Sequence, residues 1–311
     1  MAAHEHAEHH HPQGGFGLLY AALAVTAGYA LVELVAGWLF GSLALLSDAG
    51  HMFSDAAALA LAGLAAWIAR RPSGARHSYG LARAEIVAAF VNSLVLLAVV
   101  VLIFVEAVAR LLEPTPVQGL GVALVATAGL LVNLGVIYLI GRGEQDLNTR
   151  AATLHVFGDL IGSVAALTSG AVIYFTGWQP VDPLLSVVIA LLILVSTLRL
   201  LREAVHVLME GVPAGIQLRE VGVVLAQVAG VSSVHDLHIW TIASGQVALS
   251  AHLDIEDMAK WPQVLEDARR VMRQRFGIEH VTLQPEQLGG VNPGRRARVR
   301  IVPREGGEES G

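Results

Sequence analysis

Ser47-Asp48-Ala49-Gly50-His51-Met52-Phe53-Ser54-Asp55-Ala56-Ala57-Ala58-Leu59 is the stretch on which the reading of this chain turns. It lies inside an apolar run long enough to cross a bilayer as a helix, yet it holds a His and two Asp. A second apolar run repeats the pattern as His155-Val156-Phe157-Gly158-Asp159. A His and an Asp four residues apart fall on one helix face, about one turn from each other. Ionisable groups at bilayer depth cost at least ~2.5–3.5 kcal/mol each on insertion scales, so they are candidates for function by default.

Outward from those motifs, six apolar spans cover 16–40, 43–68, 84–112, 120–140, 151–175 and 183–201. Each is near the ~20 residues a helix needs to cross the hydrocarbon core. The breaks carry turn chemistry, such as Phe40-Gly41-Ser42, Arg71-Pro72-Ser73-Gly74 and Glu113-Pro114-Thr115-Pro116. The composition agrees: 54% of the 311 residues are hydrophobic and 15% charged, with a mean hydropathy of +0.60. That is too apolar for an ordinary soluble domain. No basic, aromatic-interleaved segment suggests nucleic acid as a partner. Without cysteine there is neither a disulfide nor a thiolate metal site, which leaves His, Asp and Glu as ligands and argues against Cu(I). The N-terminus lacks a positive n-region, and the apolar run after Phe16 exceeds an h-region, so the first span is expected to remain as an anchor. Arg70, Arg71, Arg76 and Arg83, then Arg142 and Arg150, then Arg199 and Arg202 lie on one side; Arg110 is the main exception. The positive-inside rule makes that side cytoplasmic, and an even span count puts both termini there.

Beyond Gly211 the pattern changes. A helix is expected over 218–228, strands over 231–241 and 246–255, a helix over 259–276 and a strand over 278–284. The fold class is thus a membrane all-α bundle of six transmembrane helices with a C-terminal cytosolic α+β domain, ferredoxin-like, in αββαβ order. The domains are a His-rich tail (1–15), the transmembrane domain (16–205), the cytosolic domain (211–288) and a Gly-, Arg- and Glu-rich tail (289–311) expected to be disordered. The motifs sit in the second span of each three-span half, the arrangement of inverted-repeat transporters that bind at the midplane.

Two such pairs meeting would give two imidazoles and two carboxylates, a tetrahedral set suited to Zn2+. Two carboxylates, two neutral imidazoles and Zn2+ sum to zero charge, far cheaper in a low-dielectric bundle than a charged site. When the metal leaves, the same lone pairs take protons, so metal and protons compete. The structural alternative is an Asp–His hydrogen bond between helices. Asp48, seven residues before Asp55, lies on nearly the same face; it either orients His51 from behind or is an acidic residue favoured by the helix dipole. Glu33, Asn92 and Asn133 are expected to hydrogen-bond between helices.

The chain resembles the cation diffusion facilitator family, in its zinc-exporter branch. The resemblance rests on Ser47-Asp48-Ala49-Gly50-His51-Met52, Tyr79-Gly80 with Arg83-Ala84-Glu85, Asp146-Leu147-Asn148 before Leu154-His155-Val156-Phe157-Gly158-Asp159, Val181-Asp182-Pro183-Leu184-Leu185-Ser186, and Val234-His235-Asp236-Leu237-His238-Ile239-Trp240-Thr241. It implies a homodimeric, proton-coupled exporter of Zn2+, with Co2+, Cd2+ and Ni2+ as further cargo, in the inner membrane. The family's transport ligands map onto His51, Asp55, His155 and Asp159. Its cytosolic metal site maps onto His235, His252 and Glu286, with Gln284 where some relatives have a further His. His238 is nearby, but strand alternation sends His235 and His238 to opposite faces. His77 is a candidate relay, although several relatives carry their His where this chain has Ala82. His4, His6, His9, His10 and His11 form a tail that either captures metal or is merely solvated.

Three rivals are considered. An intramembrane metalloprotease needs His-Glu-x-x-His or an equivalent, which no span contains; the chain is read as no enzyme. A passive channel conflicts with a four-ligand site that binds too tightly for rapid permeation. A membrane-embedded zinc sensor would share both sites, and only net metal movement separates it from a carrier.

Overall fold

The computed structural model describes residues 14–69, 71, 74–141, 147–243, 245–287 and 301. They fall into two compact units: 1–60 with 91–199, and 61–90 with 200–311. The N-terminal histidines and all but one residue of the C-terminal tail lie outside the described residues.

Six long helices come first: α1 (Gly14–Phe40), α2 (Leu43–Ala69), α3 (Ala84–Leu112), α4 (Gly119–Gly141), α5 (Leu147–Thr176) and α6 (Val181–Leu208). Among the described residues, five are long and apolar enough to cross a membrane, and Ala24–Phe40 of α1 forms a shorter apolar segment. Spacing decides which face turns inward. Leu96, Val100, Ile103 and Ala107 follow the helical repeat along α3 and are buried, whereas Val101, Leu102, Val105 and Val108 between them are exposed. An apolar exterior of this kind suits lipid and not water. The buried stripe meets Leu45 of α2, Val122 and Ala126 of α4, Ala166 and Ile173 of α5 and Ile189 and Ile193 of α6 in one core.

Small residues set how closely helices approach. A Cβ at Gly170 of α5 would stand 2.5 Å from the Ala123 nitrogen and 2.8 Å from the Gly119 carbonyl oxygen of α4. The two backbones are therefore in contact, the device membrane helices use in place of hydrophobic exclusion. Asn133 of α4 donates from Nδ2 to Ser163 Oγ of α5 at 3.1 Å, the interhelical bond expected of it.

The α1–α2 corner is tied from two sides. Gly41 takes a left-handed φ of 69°, and its carbonyl accepts from Arg110 Nη1 at 2.5 Å while Arg110 Nε donates to Glu106 at 2.8 Å. Arg110, the main exception to the charge rule, thus serves a turn. From α6, the buried Asp182 carboxylate accepts from Leu43 N at 2.6 Å, Ser42 Oγ at 2.7 Å and Ser169 Oγ at 3.0 Å. An acidic residue at a helix start usually caps its own helix; this one caps α2 and pins it to α5 and α6.

The second unit contains α7 (Leu218–Ala226), β1 (Val231–Ala243), β2 (Gln246–Ile255), a 3-10 turn (Met258–Lys260), α8 (Trp261–Phe276) and β3 (His280–Gln287). This is the αββαβ order expected. The sheet runs β1-β2-β3, antiparallel then parallel. Val221 and Leu225 of α7, Val264 and Met272 of α8, and Val234, Leu249 and Leu253 of the sheet share its core. Gly277, with φ 66°, closes α8 in the left-handed conformation that glycine accepts without strain. β3 starts two residues later and ends three later than the sequence suggests, because its register follows β2 to Ile255↔Gln287.

Two features depart from expectation. β1 carries a bulge between His235 and His238, and Asp236 sits at φ 54°. His235 pairs with His252 and His238 with Ser250, partners that share a face of β2. Simple alternation therefore does not separate the two histidines. The tail expected to be disordered contributes Ile301, which exchanges two 3.0 Å backbone hydrogen bonds with Val234 at the outer edge of β1.

Candidate metal centre

Within the helical unit, α2 and α5 bring the two His-x-Phe-x-Asp-type motifs face to face. His51 Nε2 lies 3.4 Å from Asp55 Oδ2 and 4.0 Å from Asp159 Oδ1. A tetrahedral zinc with bonds near 2.0–2.1 Å holds its ligand atoms about 3.3 Å apart; the His51–Asp55 pair is close to that spacing and the His51–Asp159 pair is wider. Asp159 is 1% exposed, while His51 and Asp55 are half-buried. His155 stands one turn before Asp159 on α5; its side chain lies outside the described residues.

Asp48 is buried behind this group. A Cβ at Gly162 of α5 would stand 2.7 Å from Asp48 Cγ and 2.9 Å from Oδ2. Only glycine lets this carboxylate lie against α5 one turn after Asp159. Asp48 feels the Asp159 charge, and Glu33 of α1 feels both. Glu33 does not make the interhelical hydrogen bond expected of it: both oxygens are buried with no hydrogen-bond partner among the described residues.

The second unit gathers another ligand set. His252 Nδ1 lies 2.6 Å from Glu286 Oε1, and His235 Nε2 lies 3.3 Å from Glu286 Oε2. The imidazole rings meet edge to face at 5.4 Å. Ligand atoms of these three residues all fall within 4.8 Å of one another. The His235↔His252 rung of the β1–β2 ladder and the parallel β2–β3 pairing create the cluster, since Asp254↔Glu286 is the next same-face rung along β2. Both His235 nitrogens are buried without a hydrogen bond among the described residues. An imidazole at 1% exposure with two unsatisfied nitrogens, beside a second imidazole and a carboxylate, fits a divalent metal. Asp236 Oδ2 approaches His252 Nε2 at 3.7 Å and Asp236 Oδ1 approaches His238 Nε2 at 3.4 Å. The bulge thus places a further carboxylate beside the His252 ring. His238 is 66% exposed and stays outside the three-residue cluster. His77 and His238 instead line a cavity of about 1120 Å3 with Arg76, Tyr79 and Trp240.

Asp182, Gly162 and Asp236 were not singled out for a role by sequence reasoning. A lone acid at the start of span six was a visible signal for Asp182, but nothing local shows that it caps a different helix. The other two depend on helix contact and on a bulge.

A bundle of apolar helices with ionisable side chains inside, joined to an α+β domain with its own His and carboxylate cluster, marks a multi-span membrane protein with candidate sites for metal cations. Similarity to known proteins shows the family. Residues 19–209 match the cation efflux transmembrane domain, and residues 213–288 match the cation efflux protein, cytoplasmic domain. The chain therefore belongs to the cation efflux family, which comprises cation transporters and not enzymes. It is 41% identical to the zinc transporter ZitB of Escherichia coli over 289 residues, covering 91% of this chain and 92% of the relative. It is 36% identical over 285 residues to the cadmium, cobalt and zinc/H(+)-K(+) antiporter of Bacillus subtilis, covering 89% and 91%. Among solved structures, the metal-bound C-terminal domain of the CzcD transporter from Cuprividus metallidurans is 37% identical, covers 23% of this chain and 99% of that one, and aligns with a TM-score of 0.22.

Proposed function

We propose that this transporter exports Zn2+ from the cytoplasm in exchange for protons, by alternating access at a site made of His51, Asp55, His155 and Asp159. The observation that carries the reading is the approach of Asp159 on α5 to His51 on α2 at 4.0 Å, with Asp55 3.4 Å from the same imidazole nitrogen. Two carboxylates and two neutral imidazoles make the loaded site neutral, and an emptied site accepts protons on the same atoms. Imidazole favours zinc over manganese, and Co2+, Cd2+ and Ni2+ share enough of its chemistry to follow. The names of the relatives, a zinc transporter and a cadmium, cobalt and zinc/H(+)-K(+) antiporter, support zinc as cargo and include the proton among the counter-ions. Asp48 stands behind the ligands and orients them.

In the same reading, His235, His252 and Glu286 hold a resident metal in the cytosolic domain (211–288). The transmembrane domain is 16–205, flanked by a His-rich cytosolic tail (1–15) and a C-terminal tail (289–311). His77 is a candidate relay, the protein works as a homodimer, and it lies in the inner membrane with both termini in the cytoplasm.

Zinc uptake into proteoliposomes, with and without an imposed pH gradient, tests this. Gradient-driven uptake that disappears in His155→Ala supports the carrier. Zinc binding without net movement would turn the case to the sensor. Flux indifferent to both gradient and substitution would remove the site.

A further inference from the structure

Glu33 is a buried carboxyl group without a hydrogen-bond partner among the described residues. It is 1% exposed, and neither oxygen makes a hydrogen bond among the described residues. Tyr29, one turn earlier on the same face of α1, is the nearest candidate donor, but its hydroxyl donates to the Val125 carbonyl of α4. α4 also leaves the space: a Cβ at Gly129 would stand 2.9 Å from Tyr29 Oη and 3.1 Å from Glu33 Oε1. The charged groups that act on Glu33 are Asp48 of α2 and Asp159 of α5, with no Lys or Arg among them.

A residue with that surrounding does nothing for stability. A buried acid with no donors and two acidic neighbours is worse for the fold than a Leu or Met of similar volume. Nor is it needed as a ligand, because two carboxylates and two imidazoles already fill four positions and balance the charge of one divalent ion. What Glu33 does have is an electrostatic line to the site. It senses Asp159 directly and through Asp48, itself pressed against Gly162. The arrival or departure of two positive charges at Asp159 therefore changes how strongly Glu33 holds a proton. Metal in the site repels that proton, and metal leaving lets it return.

We propose that Glu33 is a proton-carrying residue of the transport cycle, separate from the metal ligands and coupled to them through Asp48. This rests on the reading of the protein as a proton-coupled carrier. Glu33 reaches Asp159 through space and not through a hydrogen bond, so its proton is additional to any held by the ligands.

The test uses the full-length protein in liposomes and compares two modes of transport. Uptake driven by a pH gradient needs proton movement. Exchange of isotopic zinc for zinc across the same membrane, with no gradient, does not. Glu33→Gln keeps the shape and removes the titrating group. It is expected to lose gradient-driven uptake while retaining zinc exchange, and to release about one proton fewer per zinc bound than the wild type. Glu33→Asp, which keeps the titrating group, is expected to recover part of the driven uptake. Driven uptake and proton release in Glu33→Gln equal to wild type would overturn the proposal. So would loss of exchange together with uptake, because it would show a structural role. Wild-type protein that exchanges zinc but ignores the gradient would instead bring down the antiport reading, and the Glu33 proposal with it; the wild-type arm separates the two failures.

Discussion

Replacing Asp182 tests how the bundle holds α2 in position. The carboxylate is fully buried and accepts three hydrogen bonds, two at Oδ1 from Ser42 and Ser169 and one at Oδ2 from Leu43 N. Asp182→Ala leaves three buried donors without an acceptor, each costing about 1–3 kcal/mol before relaxation. The serines relieve part of this by turning to other acceptors; Ser186 already bonds back to the Asp182 carbonyl in that way. The Leu43 amide has no such freedom, because it is the first amide of α2. A net loss of about 3–5 kcal/mol follows for the alanine. Asn differs in a way the geometry specifies. Its carbonyl oxygen replaces Oδ2 at Leu43, and its amino group faces two hydroxyls that turn to accept. Asp182→Asn should therefore cost only about 1–2 kcal/mol, one charge-assisted bond reduced to a neutral one. The assay is thermal unfolding of purified protein in detergent. At roughly 2–4 °C per kcal/mol for a unit of this size, the alanine should fall by about 6–20 °C and the asparagine by about 2–8 °C. Zinc binding at the α2 motif should weaken in the same order, since α2 carries His51 and Asp55. Equal losses for the two substitutions, or none for alanine, would refute the capping argument.

Other outcomes follow from single contacts. Gly170→Ala forces a methyl group against the α4 backbone and should destabilise by about 1–3 kcal/mol, whereas Gly28→Ala, with nothing within 4 Å, should not; equal melting temperatures would deny the close α4–α5 contact. Ile301 packs against the core of the α+β domain, and its Cδ1 fills the space above Gly222. Ile301→Ala should cost about 1–2 kcal/mol and expose the Val234 amide to faster hydrogen exchange; unchanged exchange would mean that the strand edge is closed without the tail. His235→Ala with Glu286→Gln should reduce zinc bound per chain by one ion and abolish zinc-induced stabilisation of the α+β domain, about 2.7 kcal/mol at a hundredfold excess over Kd; retained stabilisation would place the metal elsewhere. His51→Asp should shift selectivity toward harder ions, and an unchanged zinc-to-manganese transport ratio would contradict the ligand argument.

How much of this was legible in the sequence depended on the range of the interaction. Helix positions followed from apolar runs and the turn residues between them, because bilayer thickness fixes one and backbone sterics the other. The His51–Asp55 spacing was legible because a helix repeats locally, and the α+β order because strands and helices differ in period. Glu33 was misread for lack of one nonlocal fact: Tyr29 spends its hydroxyl on Val125, and the glycine opposite leaves Glu33 room but no donor. Asp182 was noticed only as part of a familiar motif, since its partners lie 13 to 140 positions away. Arg110 looked like an exception to the charge rule until its contact with Gly41 explained it. The bulge at Asp236 hid the relation of His235 to His238, as one added residue reverses every inference from alternation.

The most direct measurement is X-ray absorption at the zinc edge, on protein whose cytosolic site is removed by His235→Ala and His252→Ala and whose residues 2–11 are deleted. A site of His51, Asp55, His155 and Asp159 predicts four-coordinate zinc with two imidazole nitrogens and two carboxylate oxygens at about 2.0–2.2 Å, and no bound zinc once Asp159 is replaced by Ala. Zinc held mainly by water oxygens, or a spectrum unchanged by that replacement, would contradict the buried site on which the account depends.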